Sequence, residues 1–480
     1  MLLGRALRFL VCAASGVLLA AVVGLVLYIQ RLPDLQVWHT AELDAEFTRA
    51  SPVATFEEYL VLEKRLFAQL EREVYAKTRP ASPNTINRYR RGSMADPGRW
   101  PKNWNHSYLL EAEDPRASVL LLHGLTDAPY SLRHLGRRLH AAGANVLGLR
   151  IPGHGTAPSG LVSVHWRDMA AAVQLAMHHL ADSGGGHPIH IVGYSNGAAL
   201  AVHYTLAALD DSGLPPVASL VLISPEIGVS RMAALAIWQA RLGWLLGIDK
   251  LQWDSVHQLE YEPFKYGSFA VNGGTVTHEI TVEIQHRLRE LASGDGLQAM
   301  PPVLSFSSVV DATVEATAVV SNLFNLLPAG GHELVLFDLN RQADIEHLLT
   351  WDPQPMIAAV RDVPRRRYTL TLVTNAGPET REAVARQWPP GANRDRRWPL
   401  GLSWPAGVYS LSHVALPFPP SDFIYGGSPA GPGPGIQLGN LALRGERGAL
   451  AIGASTQLRL RWNPFYSWLE DRAVQFMQLD

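Results

Sequence analysis

A serine set between two glycines at the end of an apolar run is the first place in this chain where chemistry can be read. The stretch Ile189-His190-Ile191-Val192-Gly193-Tyr194-Ser195-Asn196-Gly197 has the form of a buried strand closing on G-x-S-x-G, and Ala198-Ala199-Leu200-Ala201-Val202 continues it as a helix. A serine on so sharp a strand-to-helix turn is forced out of the sheet, and its hydroxyl stands at the mouth of a pocket. Side chains in place of the flanking glycines would strike the neighbouring strand and helix. The helix N-terminus behind Ser195 brings N–H donors and a dipole that favours developing negative charge. An ordinary Gly-Ser turn accounts for the five residues alone but not for the strand and helix on either side.

A serine hydroxyl becomes a nucleophile when a base takes its proton, and the base needs a third group to fix its tautomer. In serine sites built on such a turn the partners follow in the order serine, acid, histidine. Asp311 ends the apolar stretch 303–310 and is the expected acid, with Glu315 and Asp338 in reserve. An N-cap for the helix containing Val314 explains the same aspartate. Three histidines follow it. His332 opens a strand and His347 sits in a charged helical segment, whereas His413 stands in the loop 409–417 among apolar residues and is the expected base. A tetrahedral oxyanion needs two donors: the N–H of Asn196, and that of Leu125 in the loop His123-Gly124-Leu125-Thr126-Asp127-Ala128-Pro129. Gly124 lets that loop turn, and the His123 side chain is expected to brace it.

The elements that must position these groups follow from periodicity. Beyond Ser118, short apolar runs alternate with amphipathic stretches, which predicts a mostly parallel sheet with helices on both faces. Strands are expected at 119–122, 145–149, 189–192, 220–223, 303–307 and 333–337, and helices at 131–142, 166–181, 196–209 and 314–327. An earlier helix is expected over 56–75 and a terminal one over 462–477. Two long interruptions lie between these elements. The first holds an apolar helix near 232–246 with Trp238 and Trp244, placed to cover the pocket, and Phe264, Tyr266 and Phe269 are expected on the pocket's inner wall. The second contains a strand-like run at 368–374 and the basic clusters Arg365–Arg367 and Arg394, Arg396 and Arg397.

The chain of 480 residues is 47% apolar with a net charge of −2, which leaves no basic footprint for nucleic acid. Its one cysteine excludes an intrachain disulfide. From Phe9 to Gln30 no residue is charged, a run long enough to cross a bilayer as a helix. Arg5 and Arg8 precede it, so the N-terminus is expected in the cytoplasm and the body on the far side. The run exceeds a signal-peptide core and ends in Leu27-Tyr28-Ile29-Gln30-Arg31, a poor cleavage site. The expected divisions are an anchor (1–31), a helical linking segment (32–115), a first core part (116–225), a lid insertion (226–301), a second core part (302–340), a second insertion (341–407) and a histidine loop with a terminal helix (408–480).

Taken together, HGLTDAPYSLR, LRIPGHG, GYSNG, an aspartate after a later strand and SLSHVALPF resemble the α/β-hydrolase superfamily. The likeness is to its bacterial carboxylesterase, monoacylglycerol lipase and lysophospholipase-like branch, of serine aminopeptidase type. It spans about residues 105–340 and 405–425. It implies ester hydrolysis through a covalent acyl-serine with no metal or organic cofactor, and an architectural role for His154. The anchor beside an apolar lid adds the expectation of a bacterial inner-membrane enzyme acting on esters with a hydrophobic acyl chain. A peptidase with Glu260 or Glu262 holding the substrate amine, an acyltransferase, and a non-catalytic scaffold are the alternatives.

Overall fold

The computed structural model describes residues 2–79, 86–228, 248–311, 313–314, 316–343, 346–429, 431, 433–441 and 458–480. Its centre is a ten-stranded sheet. In chain order the strands are β1 (Tyr108–Leu110), β2 (Ala117–Leu122), β3 (Ala144–Leu149), β4 (Ile189–Tyr194), β5 (Ser219–Ile223), β6 (Val303–Ser308), β7 (Glu333–Phe337), β8 (Thr369–Asn375), β9 (Glu382–Trp388) and β10 (Arg396–Ser403). Their spatial order is β1-β3-β2-β4-β5-β6-β7-β8-β9-β10. From β3 to β8 all neighbours run parallel. The edges β1, β9 and β10 are antiparallel additions.

The central strands are apolar without alternation because both faces are covered. Val119 and Leu121 of β2 point into one core layer, and Leu120 and Leu122 into the other. The first layer is closed by α3 (Arg133–Ala141) and α7 (Tyr466–Phe476). The second is closed by α4 (Trp166–Ser183), α5 (Asn196–Asp210) and α6 (Val271–Ala292). Helix α2 (Phe56–Leu70) lies outside them and is tied to the loop after β3. Tyr59 donates to the Arg150 carbonyl at 2.6 Å, and the buried Arg150 guanidinium meets Glu63 at 3.1 Å and Glu46 at 2.9 Å.

Two expectations change here. The interval 226–301 is not a lid throughout, since α6 buries Ile280, Ile284 and Leu288 in the main core. The expected apolar helix at 232–246, with Trp238 and Trp244, lies outside the described residues. The interval 341–407 is no free-standing insertion either: β8 pairs with β7 in register, and β9 and β10 extend the same sheet. Several of its arginines are engaged within the fold. Arg366 is buried and donates to the Tyr368 carbonyl, and Arg386 and Arg397 share Asp395.

At the N-terminus α1 (Leu2–Arg31) is one continuous helix, with Phe9, Leu10, Val17 and Leu19 exposed. The expected anchor falls on it, but several of its side chains lie outside the described residues. Among the described residues no helix is long and apolar enough to cross a membrane.

Candidate active site

Ser195 sits between the end of β4 and the first residue of α5, with φ 55° and ψ −118°. A non-glycine residue held there stores on the order of 1–3 kcal/mol of strain. The turn is fixed by close approach on both sides. A Cβ on Gly193 would lie 2.4 Å from the Ala198 Cα, and one on Gly197 would lie 2.1 Å from the Leu122 carbonyl oxygen. The Ser195 N–H is anchored on the Ile223 carbonyl of β5 at 2.9 Å.

His413 and Asp311 come together from opposite ends of the C-terminal half. His413 Nδ1 is 2.9 Å from Asp311 Oδ2, and both side chains are buried. The other carboxylate oxygen, Oδ1, accepts from the N–H groups of Thr313 and Val314 at 2.8 and 2.9 Å. Asp311 thus gives one oxygen to backbone N–H groups and the other to His413. Burial opposes its ionisation, yet the bond and charge of His413 with those two N–H donors hold it below the ordinary carboxylate value. An ionised Asp311 requires the proton on Nδ1, which leaves Nε2 as the acceptor. Of the reserves, Asp338 pairs with Arg341, Glu315 lies outside the described residues, and His332 Nδ1 accepts from the Val303 N–H. His347 is exposed.

The loop after β2 is held from three sides. His123 Nε2 accepts from the Ile151 N–H at 3.1 Å, so Nδ1 carries the proton and donates to the Gly124 carbonyl at 2.9 Å. Burial, reinforced by His154, keeps His123 uncharged. Lys265 Nζ reaches Thr126 Oγ1 and Asp127 Oδ2 at 3.0 and 2.9 Å, and the Tyr266 N–H donates to the Thr126 carbonyl at 2.8 Å. Among the described residues no hydrogen bond occupies the N–H of Leu125 or of Asn196. The latter is a first-turn donor with no acceptor inside its helix.

Ser195, His413 and Leu125 line one cavity of about 370 Å³, together with Phe269, Glu226 and Arg459. A second cavity of about 320 Å³ shares Tyr194, Lys265, Val414 and Arg459 with it. Tyr266 faces that second cavity, and its hydroxyl donates to the Gly153 carbonyl and accepts from the Thr156 N–H. Phe264, expected on the inner wall, is instead core: it stacks on Tyr130 with ring centroids 4.4 Å apart. Trp238 and Trp244 lie outside the described residues. Glu260 is taken up by Gly267 and Ser268, and Glu262 by Arg461 and Tyr425. Glu226, Lys265 and Arg459 escape a sequence reading because each lies in a loop without a motif. The one signal is that Glu226 comes three residues after a fully buried strand. A larger cavity of about 550 Å³, lined by His39, Glu46 and Trp253, contains none of the expected catalytic residues.

Residues 113–266 match the family model described as serine aminopeptidase, S33. That segment holds the strained serine turn and the loop carrying Leu125. Over that segment the chain resembles this family of serine hydrolases. No curated protein matches the chain in sequence. Among solved structures it is similar to the metagenome-derived lipolytic enzymes LipS and LipT, at 19% identity over 54% of this chain and 98% of that one, with a TM-score of 0.39. It is also similar to the Paleococcus ferrophilus monoacylglycerol lipase (18%, 48% and 89%, TM-score 0.37). A soluble variant of the Saccharomyces cerevisiae monoglyceride lipase gives 14% identity, 48% and 81% coverage and a TM-score of 0.36.

Proposed function

We propose that the hydrolase cleaves carboxylic esters by acyl transfer to Ser195, with His413 as base and Asp311 as its orienting acid. The reading is carried by the 2.9 Å His413–Asp311 bond beside a strained Ser195 in one shared cavity. His413 Nε2 takes the serine proton as Oγ attacks the ester carbonyl, and the imidazolium is stabilised by Asp311. The N–H groups of Leu125 and Asn196 receive the oxyanion. Collapse of the tetrahedral adduct expels the alcohol, which takes the proton from His413, and a water activated by the same imidazole then releases the acid. No step calls on a metal or organic cofactor.

The substrate we propose is an ester with a hydrophobic acyl chain, supported by Leu125, Phe269 and Val414 on the cavity wall. We also propose that residues 9–30 tether the enzyme to the bacterial inner membrane, with the catalytic body on the outer side. The uncharged run and the exposed apolar side chains along α1 support this.

The test is turnover of p-nitrophenyl esters of increasing chain length beside aminoacyl p-nitroanilides, in parent and Ser195→Ala proteins. Ester turnover rising with chain length and lost in the variant is expected. Efficient cleavage of only the shortest esters contradicts the acyl-chain reading, and preferential cleavage of the anilides makes the enzyme the peptidase that the family model's description names.

A further inference from the structure

Among the polar groups of this cavity outside the proposed triad, one carboxyl stands apart. Glu226 follows β5, its N–H donates to the Ser195 carbonyl at 3.3 Å, and its side chain is partly exposed on the cavity wall. No cation and no backbone N–H bonds its carboxyl among the described residues. The Thr277 hydroxyl lies beside it, and the charged or chargeable groups it senses are His413 and Asp311. His278, on the same wall, has a buried Nδ1 without a partner among the described residues. A carboxyl held there by one hydroxyl alone is costly unless a bound molecule supplies a further donor. Glu260 and Glu262 each have their donors inside the fold. Among the described residues Glu226 has only the Thr277 hydroxyl, and it lines the cavity that holds Ser195.

Building on the serine-hydrolase reading, we propose that Glu226 is a specificity-determining residue that receives a substrate hydroxyl a few atoms from the scissile carbonyl. Esters of polyols or of hydroxylated acids are then preferred over plain alkyl esters. An uncharged donor fits better than an ammonium group because the cavity already holds two cations. Lys265 is balanced by Asp127, but among the described residues Arg459 is bonded only to the Thr313 hydroxyl, at 3.4 Å. Burial pushes the Glu226 carboxyl up to about 7, with Asp311 adding to the rise and His413 and Thr277 opposing it. At neutral pH the group can therefore give a hydrogen bond to a hydroxyl as well as accept one.

The experiment measures kcat/KM of the full chain in detergent on glycerol monobutyrate, propyl 3-hydroxybutyrate, propyl 2-aminobutyrate and the hydroxyl-free propyl butyrate. Parent, Glu226→Gln and Glu226→Leu proteins are compared. The parent should prefer at least one hydroxylated ester, and the two hydroxylated substrates show which side of the ester bond carries the group. Glu226→Leu should cut that preference by about 10- to 100-fold, and Glu226→Gln by less, since an amide still accepts. An equal preference in all three proteins overturns the proposal. So does an equal loss on every ester, which marks a general role, or a collapse confined to the amino ester, which marks an ammonium site. Failure of the parent to turn over any ester, with Ser195 unreactive toward a fluorophosphonate, overturns the hydrolase reading and this one with it.

Discussion

At the scale of single residues, Asp311 divides its two oxygens between a backbone turn and His413. Asp311→Asn keeps the Oδ1 acceptor for Thr313 and Val314 but places an amide against Nδ1 and reverses the imidazole tautomer. Its kcat on an ester should fall by about 10⁴, with the melting temperature little changed. A drop of less than tenfold would take Asp311 out of the catalytic unit. Glu226 gives a prediction about stability. Its carboxyl is raised from an ordinary value of 4.5 to about 7, chiefly by burial. For an acid whose folded value is raised, the contribution is full below the unfolded value and is lost as pH rises through the folded one. Glu226→Gln should therefore gain on the parent between pH 5 and pH 8, by up to about 3 kcal/mol. Thermal unfolding at the two pH values measures it, and a difference independent of pH contradicts it. Ser195, Asp311, His413 and Leu125 were legible because a motif or an apolar context surrounds each of them. Glu226 was not, because a carboxylate in a loop reads as solvated until the fold closes a cavity around it.

At the scale of elements, the turn after β4 depends on atoms that leave no room for a side chain. Gly197→Ala would press a methyl onto the Leu122 carbonyl, and it should destabilise the protein by about 3 kcal/mol or more. Gly274→Ala is the contrast: it lies in α6 with nothing within 4 Å of its Cβ position, and it should stabilise by roughly 0.5–1 kcal/mol. Equal effects of the two in chemical denaturation would mean that packing does not set the turn. The six central strands were legible because burial on both faces makes each a short apolar run. Strand β8 was legible too, as the run at 368–374, whereas β1 and β10 were disguised. Three residues in a polar stretch hide β1, and Pro399 and Gly401 hide β10. Helix α6 carries Gly273, Gly274 and several β-branched residues, all poor helix formers, so its apolar spacing was masked and tertiary packing carries it.

At the scale of the whole molecule, an α/β core follows an apolar N-terminal helix. Removing residues 2–31 touches none of the described contacts of the catalytic cavity. The shortened protein should leave the membrane fraction and keep its kcat on a short soluble ester within about twofold. An equal distribution of the two forms between membrane and soluble fractions contradicts the tether. The central claim is that Ser195 is activated by His413, and it is tested most directly by covalent labelling. Full-length protein in detergent would be treated with a fluorophosphonate probe, beside Ser195→Ala and His413→Ala, and the modified peptide located by mass spectrometry. The account predicts one adduct on Ser195 in the parent and none in either variant. A folded parent that stays unlabelled, or labelling that persists in His413→Ala, would contradict it.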